Sequence, residues 1–141
     1  MKNAGIYLLL IRLPRARNIK IGKLGTFFFK KGYYIYVGSA QRNLSQRINR
    51  HKNKKKILRW HIDYLIKYAS LLCVKSYEFS KKYECALCQY LSKLHNAEIL
   101  SSGFGASDCK CATHLLFFRK KPEINKNLSY FFYKYKLIIS H

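Results

Sequence analysis

Residues 34–51, YIYVGSAQRNLSQRINRH, carry phenols, a guanidinium and an imidazole in an order that suits work on a phosphodiester. The pattern predicts a strand, a glycine-marked turn and a helix. Tyr34, Tyr36 and Gly38 alternate with Ile35 and Val37, which puts both phenols on one strand face. Gly38 and Ser39 are expected to end the strand, and Asn43 to cap a helix starting at Leu44. Leu44 and Ile48 give that helix a narrow apolar stripe. Arg47 and His51, at the same spacing, stack on a neighbouring face with Arg50 and Lys54 beside them. Hydrolysis of a phosphodiester needs an activated water, stabilisation of a more negative transition state and a route for protons, and these groups can supply all three.

The elements around this stretch must bring its side chains together. Residues 5–13, GIYLLLIRL, are almost continuously apolar and predict a central strand buried on both faces, with Gly5, Tyr7, Leu9 and Ile11 on one of them. Pro14 ends the run. Residues 18–21 and 26–29 read as short extended segments, with turns at Gly22 and Gly25. An antiparallel meander follows, whose register lets Tyr7 and Tyr36 reach the same side of the sheet. Residues 51–56, HKNKKK, extend the helix as a basic run. A solvated helix end explains it, but its position beside Arg47 and His51 favours a phosphate-tracking face of Arg50, Lys52, Lys54, Lys55 and Lys56.

Residues 58–68 predict a second helix with Leu58, Ile62 and Leu65 as its core stripe; Asp63, four residues from Arg59 and Lys67, reads as a surface ion pair. A strand over 71–79 and a helix over 81–94 come next. Glu84 borders the buried stripe of that helix, and a carboxylate at the edge of a core has a base or a metal as partner. Residues 119–127 read as a polar linker, and 128–139, with alternating aromatics and lysines, as a terminal strand packed through Phe131, Tyr133, Tyr135 and Leu137.

Composition narrows the partners. Lys and Arg number 28 against six acidic residues, a formal charge of +22, so a polyanion is the natural ligand and nucleic acid is favoured over an anionic membrane. A chain of 141 residues predicts one domain, large enough for a single core but marginal for two. No apolar run approaches the roughly 20 residues that span a bilayer, and five cysteines without a secretion signal fit reduced thiols in the cytoplasm. Residues 102–114, SGFGASDCKCATH, crowd Asp108, Cys109, Cys111 and His114 into a glycine-marked loop. Cys85 and Cys88 could complete a zinc site with them. A CxC paired with a distant helical CxxC is not a standard zinc spacing, so a structural loop or a substrate contact is the favoured reading and zinc the lesser one.

Gly5-Ile6-Tyr7, then Tyr36-Val37-Gly38, then Arg47 and His51 behind them, together resemble the signature of the GIY-YIG nuclease superfamily. WHIDYL at 60–65 and a segment similar to FGxSDCxCxxHL at 104–115 look like those of a small branch of it, mostly uncharacterised and in part fused to a base-excision glycosylase. The resemblance covers about residues 4–118. It implies an α+β fold, a small mainly antiparallel sheet flanked by helices, over residues 1–118, with 119–141 as a basic aromatic extension. It implies a catalytic set of Tyr7, Tyr36, Arg47 and His51, with Gly5 and Gly38 as backbone elements of the motif. Glu84 matches the family's ligand for one Mg²⁺ or Mn²⁺, and either Tyr7 or Tyr36 its general base. The activity that follows is metal-dependent endonucleolytic cleavage of DNA. The alternatives are an RNA-directed nuclease and a weakly catalytic or non-catalytic nucleic-acid-binding module associated with DNA repair.

Overall fold

The computed structural model describes residues 3–106 and 109–137. It is an α+β fold built on a four-stranded antiparallel sheet of order β5-β1-β4-β6, where β1 is Gly5–Leu13, β4 Gly32–Ala40, β5 Ser70–Tyr77 and β6 Leu115–Phe118. β1 is inside the sheet, as its unbroken apolar run requires, and alternation divides its side chains between two cores. Tyr7, Leu9, Ile11 and Leu13 face one core; Ile6, Leu8 and Leu10 face the other. β4 divides likewise, with Tyr34 and Tyr36 beside Tyr7 and with Ile35 and Val37 opposite. β4 runs two residues past Gly38, to Ala40.

Between β1 and β4 the chain forms a separate hairpin, β2 (Arg17–Ile21) with β3 (Gly25–Phe29). Its Ile19, Ile21 and Phe29 close the Tyr7 side of the sheet together with α1 (Leu44–Lys52) and α2 (His61–Ile66). The opposite face is covered by α3 (Lys82–Ser92) and α4 (Ile124–Tyr135).

α4 replaces the terminal strand expected over 128–139. Ile124, Leu128, Phe131 and Phe132 recur at helical spacing, and all four are buried against the sheet. The aromatic–lysine alternation that suggested a strand belongs largely to the outer face, where Tyr133 is 87% exposed. Helix boundaries also differ from expectation: α2 begins at His61 rather than Leu58 and ends at Ile66, which leaves Leu58 outside the core. Asn43 does not cap α1; it takes a left-handed conformation (φ 59°) and makes no side-chain cap bond. The cap comes from Asn3, whose carbonyl accepts the Leu44 N–H (3.0 Å) and whose Oδ1 accepts the Ser45 N–H (2.9 Å). α1 then stops at Lys52, so the lysines after it are not on its surface. Among the described residues no helix is long and apolar enough to cross a membrane.

Candidate active site

The register of β1 on β4 sets Tyr7 opposite Gly38. A methyl group on Gly38 would lie 2.5 Å from Tyr7 Cζ and 2.6 Å from its hydroxyl, so only glycine lets the phenol cross β4 here. Gly5 answers a similar constraint on the other side, because a Cβ there would collide with the Tyr77 carbonyl of β5. Tyr7 and Tyr36 therefore enter one cleft of about 570 Å³, shared with Ser39, Arg42, Arg47 and Glu84. Two strands and two helices converge on it: β1 and β4 bring the phenols, α1 brings Arg47 and α3 brings Glu84.

Within the cleft the phenols differ in their surroundings. Tyr7 Oη is 2.8 Å from His51 Nε2. His51 is fully buried and, among the described residues, its Nδ1 has no hydrogen-bond partner, so the contact with Tyr7 is the ring's polar anchor. Burial, helped by the cations Lys56, Arg50 and Arg47 and opposed by Asp63, drives the imidazole down to about 4. His51 is neutral near pH 7 and able to accept a proton. Burial also holds Tyr7 well above the ordinary phenol range, against the pull of the Arg47 guanidinium. Tyr36 is raised by burial and then by the charges of Tyr7 and Glu84. The basin thus keeps both phenols un-ionised at rest, and Tyr7 has a neutral base at hydrogen-bond distance.

Trp60 forms a cleft wall that the sequence did not single out. The guanidinium of Arg47 is 4.7 Å, that of Arg50 4.3 Å and that of Arg59 5.8 Å from its ring centroid. Three cations are held near one aromatic ring because Asp63 fixes the turn beneath them. Asp63 is not the surface ion pair expected with Arg59 and Lys67; it is fully buried. Its Oδ2 accepts the backbone N–H groups of Arg59 and Trp60 (both 2.8 Å), capping α2, and its Oδ1 binds Arg50 Nη1 at 2.9 Å. Burial would raise the Asp63 pKa, but these hydrogen bonds keep it below the ordinary carboxylate range.

The basic run divides in two. Lys52, Lys54 and Lys55 are exposed. Lys56 turns inward, its side chain 6% exposed, and its Nζ reaches the Arg50 and His51 carbonyls at 3.2 and 3.4 Å. It closes the C-terminus of α1, and Arg50 similarly commits its Nη2 to the Ile57 carbonyl. These two are internal supports, unlike the free phosphate contacts expected of them.

Arg47 Nη1 donates to the Ser39 carbonyl at 2.6 Å, while the Ser39 hydroxyl donates to Glu84 Oε1 at 2.9 Å. One residue at the end of β4 therefore orients both the cation and the carboxylate. Glu84 Oε2 is 3.4 Å from His114 Nδ1. His114 belongs to a second cluster: the donor atoms of Cys85, Cys109, Cys111 and His114 all lie within 4.8 Å of one another, a set able to hold a metal ion and better suited to zinc than to Mg²⁺ or Mn²⁺. Cys88, expected as a companion to Cys85, is instead buried and donates its thiol to the Thr113 carbonyl. Asp108 lies outside the described residues.

A family model described as a domain of unknown function, DUF123, matches residues 6–137. The chain belongs to the DUF123 family. Comparison with curated proteins and with solved structures gives no match. In this DUF123 domain the site contains groups that sequence spacing missed. His61 Nδ1 accepts the Gly105 N–H at 2.8 Å, tying the 101–106 loop to α2 at the cleft edge. The chain's single tryptophan, next to two of its arginine partners in three-dimensional space but 10 and 13 residues from them in sequence, was the available signal for the wall.

Proposed function

We propose that this DUF123 domain is a GIY-YIG-type endonuclease that hydrolyses phosphodiester bonds in DNA, with Tyr7 as general base. The observation that carries the reading is the Tyr7–His51 hydrogen bond at the floor of a cleft whose lining combines Arg47 with the carboxylate of Glu84. Tyr7 takes a proton from the attacking water as its own phenolic proton moves to Nε2 of neutral His51. Neither group has to be ionised beforehand; the imidazolium that the step forms is opposed by burial and favoured by the Asp63 carboxylate. The imidazole beside Tyr7 favours it over Tyr36 as the base. Tyr36 serves as the wall against which Tyr7 is held, its ring centroid 6.3 Å away.

Arg47 binds the phosphate and the charge that grows on it, with its guanidinium pre-oriented by the Ser39 carbonyl and the Trp60 face. Glu84 fits a hard divalent cation: it is a partly exposed carboxylate in the cleft, held at Oε1 by Ser39, with lone pairs left for a ligand. Mg²⁺ or Mn²⁺ bound there supplies charge neutralisation at the phosphate and stabilises the leaving oxygen. The exposed Lys52, Lys54 and Lys55 follow the nucleic-acid backbone; Lys52 and Lys54 line a second groove, against residues 70–74, rather than the cleft itself.

The test is cleavage of single-stranded, duplex and branched DNA and of RNA, with and without Mg²⁺ or Mn²⁺. Metal-dependent scission of DNA is expected. Scission confined to RNA moves the substrate to RNA, and binding without scission on any member of the panel leaves only a nucleic-acid-binding module.

A further inference from the structure

We infer that the domain binds one zinc ion through Cys85, Cys109, Cys111 and His114, as a structural clasp behind the cleft. The four come from two places in the chain. Cys85 is in the first turn of α3; the other three belong to the loop that leads into β6. Their donor atoms lie within 4.8 Å of one another. Tetrahedral zinc, with bonds of about 2.0–2.3 Å, asks for donor separations of roughly 3.5–3.8 Å. The His114 Nε2 distances to the sulfurs of Cys109 (3.3 Å) and Cys85 (3.8 Å) are already of that size.

A second feature points to a ligand independently of the crowding. His114 Nδ1 faces the Val37 carbonyl at 3.1 Å and the Glu84 carboxylate at 3.4 Å. The proton therefore belongs on Nδ1, and Nε2 presents its lone pair to the three sulfurs. Zinc-binding histidines are oriented in this way, one nitrogen on the metal and the other donating to a carbonyl or carboxylate. The thiols are free of disulfides. Three sulfurs and an imidazole select zinc over the hard cation proposed for Glu84.

The clasp also acts on the cleft. The loop's other ties to the fold include its Gly105 N–H to His61 Nδ1 of α2 and the Val37 N–H of β4 to the His114 carbonyl. Zinc would join that loop to α3 one residue from Glu84 and hold His114 against the carboxylate. The inference does not depend on the nuclease reading, since a closed four-ligand site is structural whatever the cleft does.

Metal analysis of the full chain, purified with zinc and dialysed, tests it. About one zinc per chain is expected, lost in Cys109→Ser and Cys111→Ser, and retained in Cys88→Ser and in Glu84→Gln. Cobalt loaded in place of zinc should give intense tetrahedral ligand-field bands with thiolate charge transfer. Should the serine variants fail to fold, thiol labelling of the wild-type chain decides: zinc should protect three more cysteines than remain protected in the chelated chain. Wild-type chain without stoichiometric zinc, a six-coordinate cobalt spectrum, or zinc retained by both Cys109→Ser and Cys111→Ser would overturn the clasp. A chain that holds zinc but cleaves nothing supports the clasp and ends the nuclease reading.

Discussion

His51 should make the stability of this domain depend on pH in a narrow and calculable window. The ring is fully buried and its pKa falls from the ordinary 6.5 to about 4. In the unfolded chain the same imidazole takes a proton as pH drops below about 6.5, whereas the folded one refuses it until about 4. Between those values the unfolded state binds more protons, so stability falls as pH falls; above about 6.5 the contribution is complete and flat. At about 1.4 kcal/mol per pH unit, the gap between 6.5 and about 4 is worth about 3 kcal/mol. For a domain whose total stability is of the order of 5–15 kcal/mol, that is large enough to read. His51→Gln keeps a polar group for the Tyr7 hydroxyl but cannot titrate. Urea denaturation of both proteins from pH 4 to pH 8 isolates the effect, because carboxylates common to both cancel in the difference. The wild type should lose about 3 kcal/mol relative to the variant on going from pH 7 to pH 4. Parallel stability curves would refute the neutral, buried imidazole on which the proton relay rests.

Three further outcomes follow from the geometry. Gly38→Ala should displace the Tyr7 ring, since its new methyl would meet Cζ at 2.5 Å; a loss of about 1–3 kcal/mol in denaturation should accompany a fall in cleavage larger than the unfolded fraction explains. Replacing Lys52, Lys54 and Lys55 together with Ala should flatten the salt dependence of DNA binding by up to about 2.7 in log–log slope, about 0.9 for each lost phosphate contact. Lys56→Ala should leave that slope alone and instead lower the melting temperature, because its ammonium serves the α1 carbonyls.

The sequence was most informative where a local period decides the matter. Strand alternation put Tyr7, Tyr34 and Tyr36 on one face, and the four-residue spacing on α1 put Arg47 near His51. What it could not resolve depended on contacts between distant segments. Asp63 looked like a surface residue because its nearest bases are Arg59 and Lys67; its real partner, Arg50, is brought close only by the turn between α1 and α2. Asn43 has the composition of a cap, yet Asn3 arrives from the chain's start to do that work. The cysteine cluster divides Cys85 from Cys88 because a three-residue step on a helix leaves the second side chain about 60° off the line of the first, so that one joins the loop's cysteines and His114 while the other is buried against the Thr113 carbonyl. At α4 two periods compete: Ile124, Leu128, Phe131 and Phe132 carry a helical repeat, but the aromatic–lysine alternation beside it imitates a strand.

Glu84→Gln tests the cleft most directly. Glutamine keeps the size of the side chain and an acceptor for the Ser39 hydroxyl, but lacks the charge that a hard divalent cation requires. Measured together on one preparation, metal-dependent DNA cleavage should collapse while DNA affinity and the melting temperature stay near those of the wild type. A folded Glu84→Gln protein with undiminished metal-dependent cleavage would contradict the assignment of this carboxylate, and with it the one-metal nuclease.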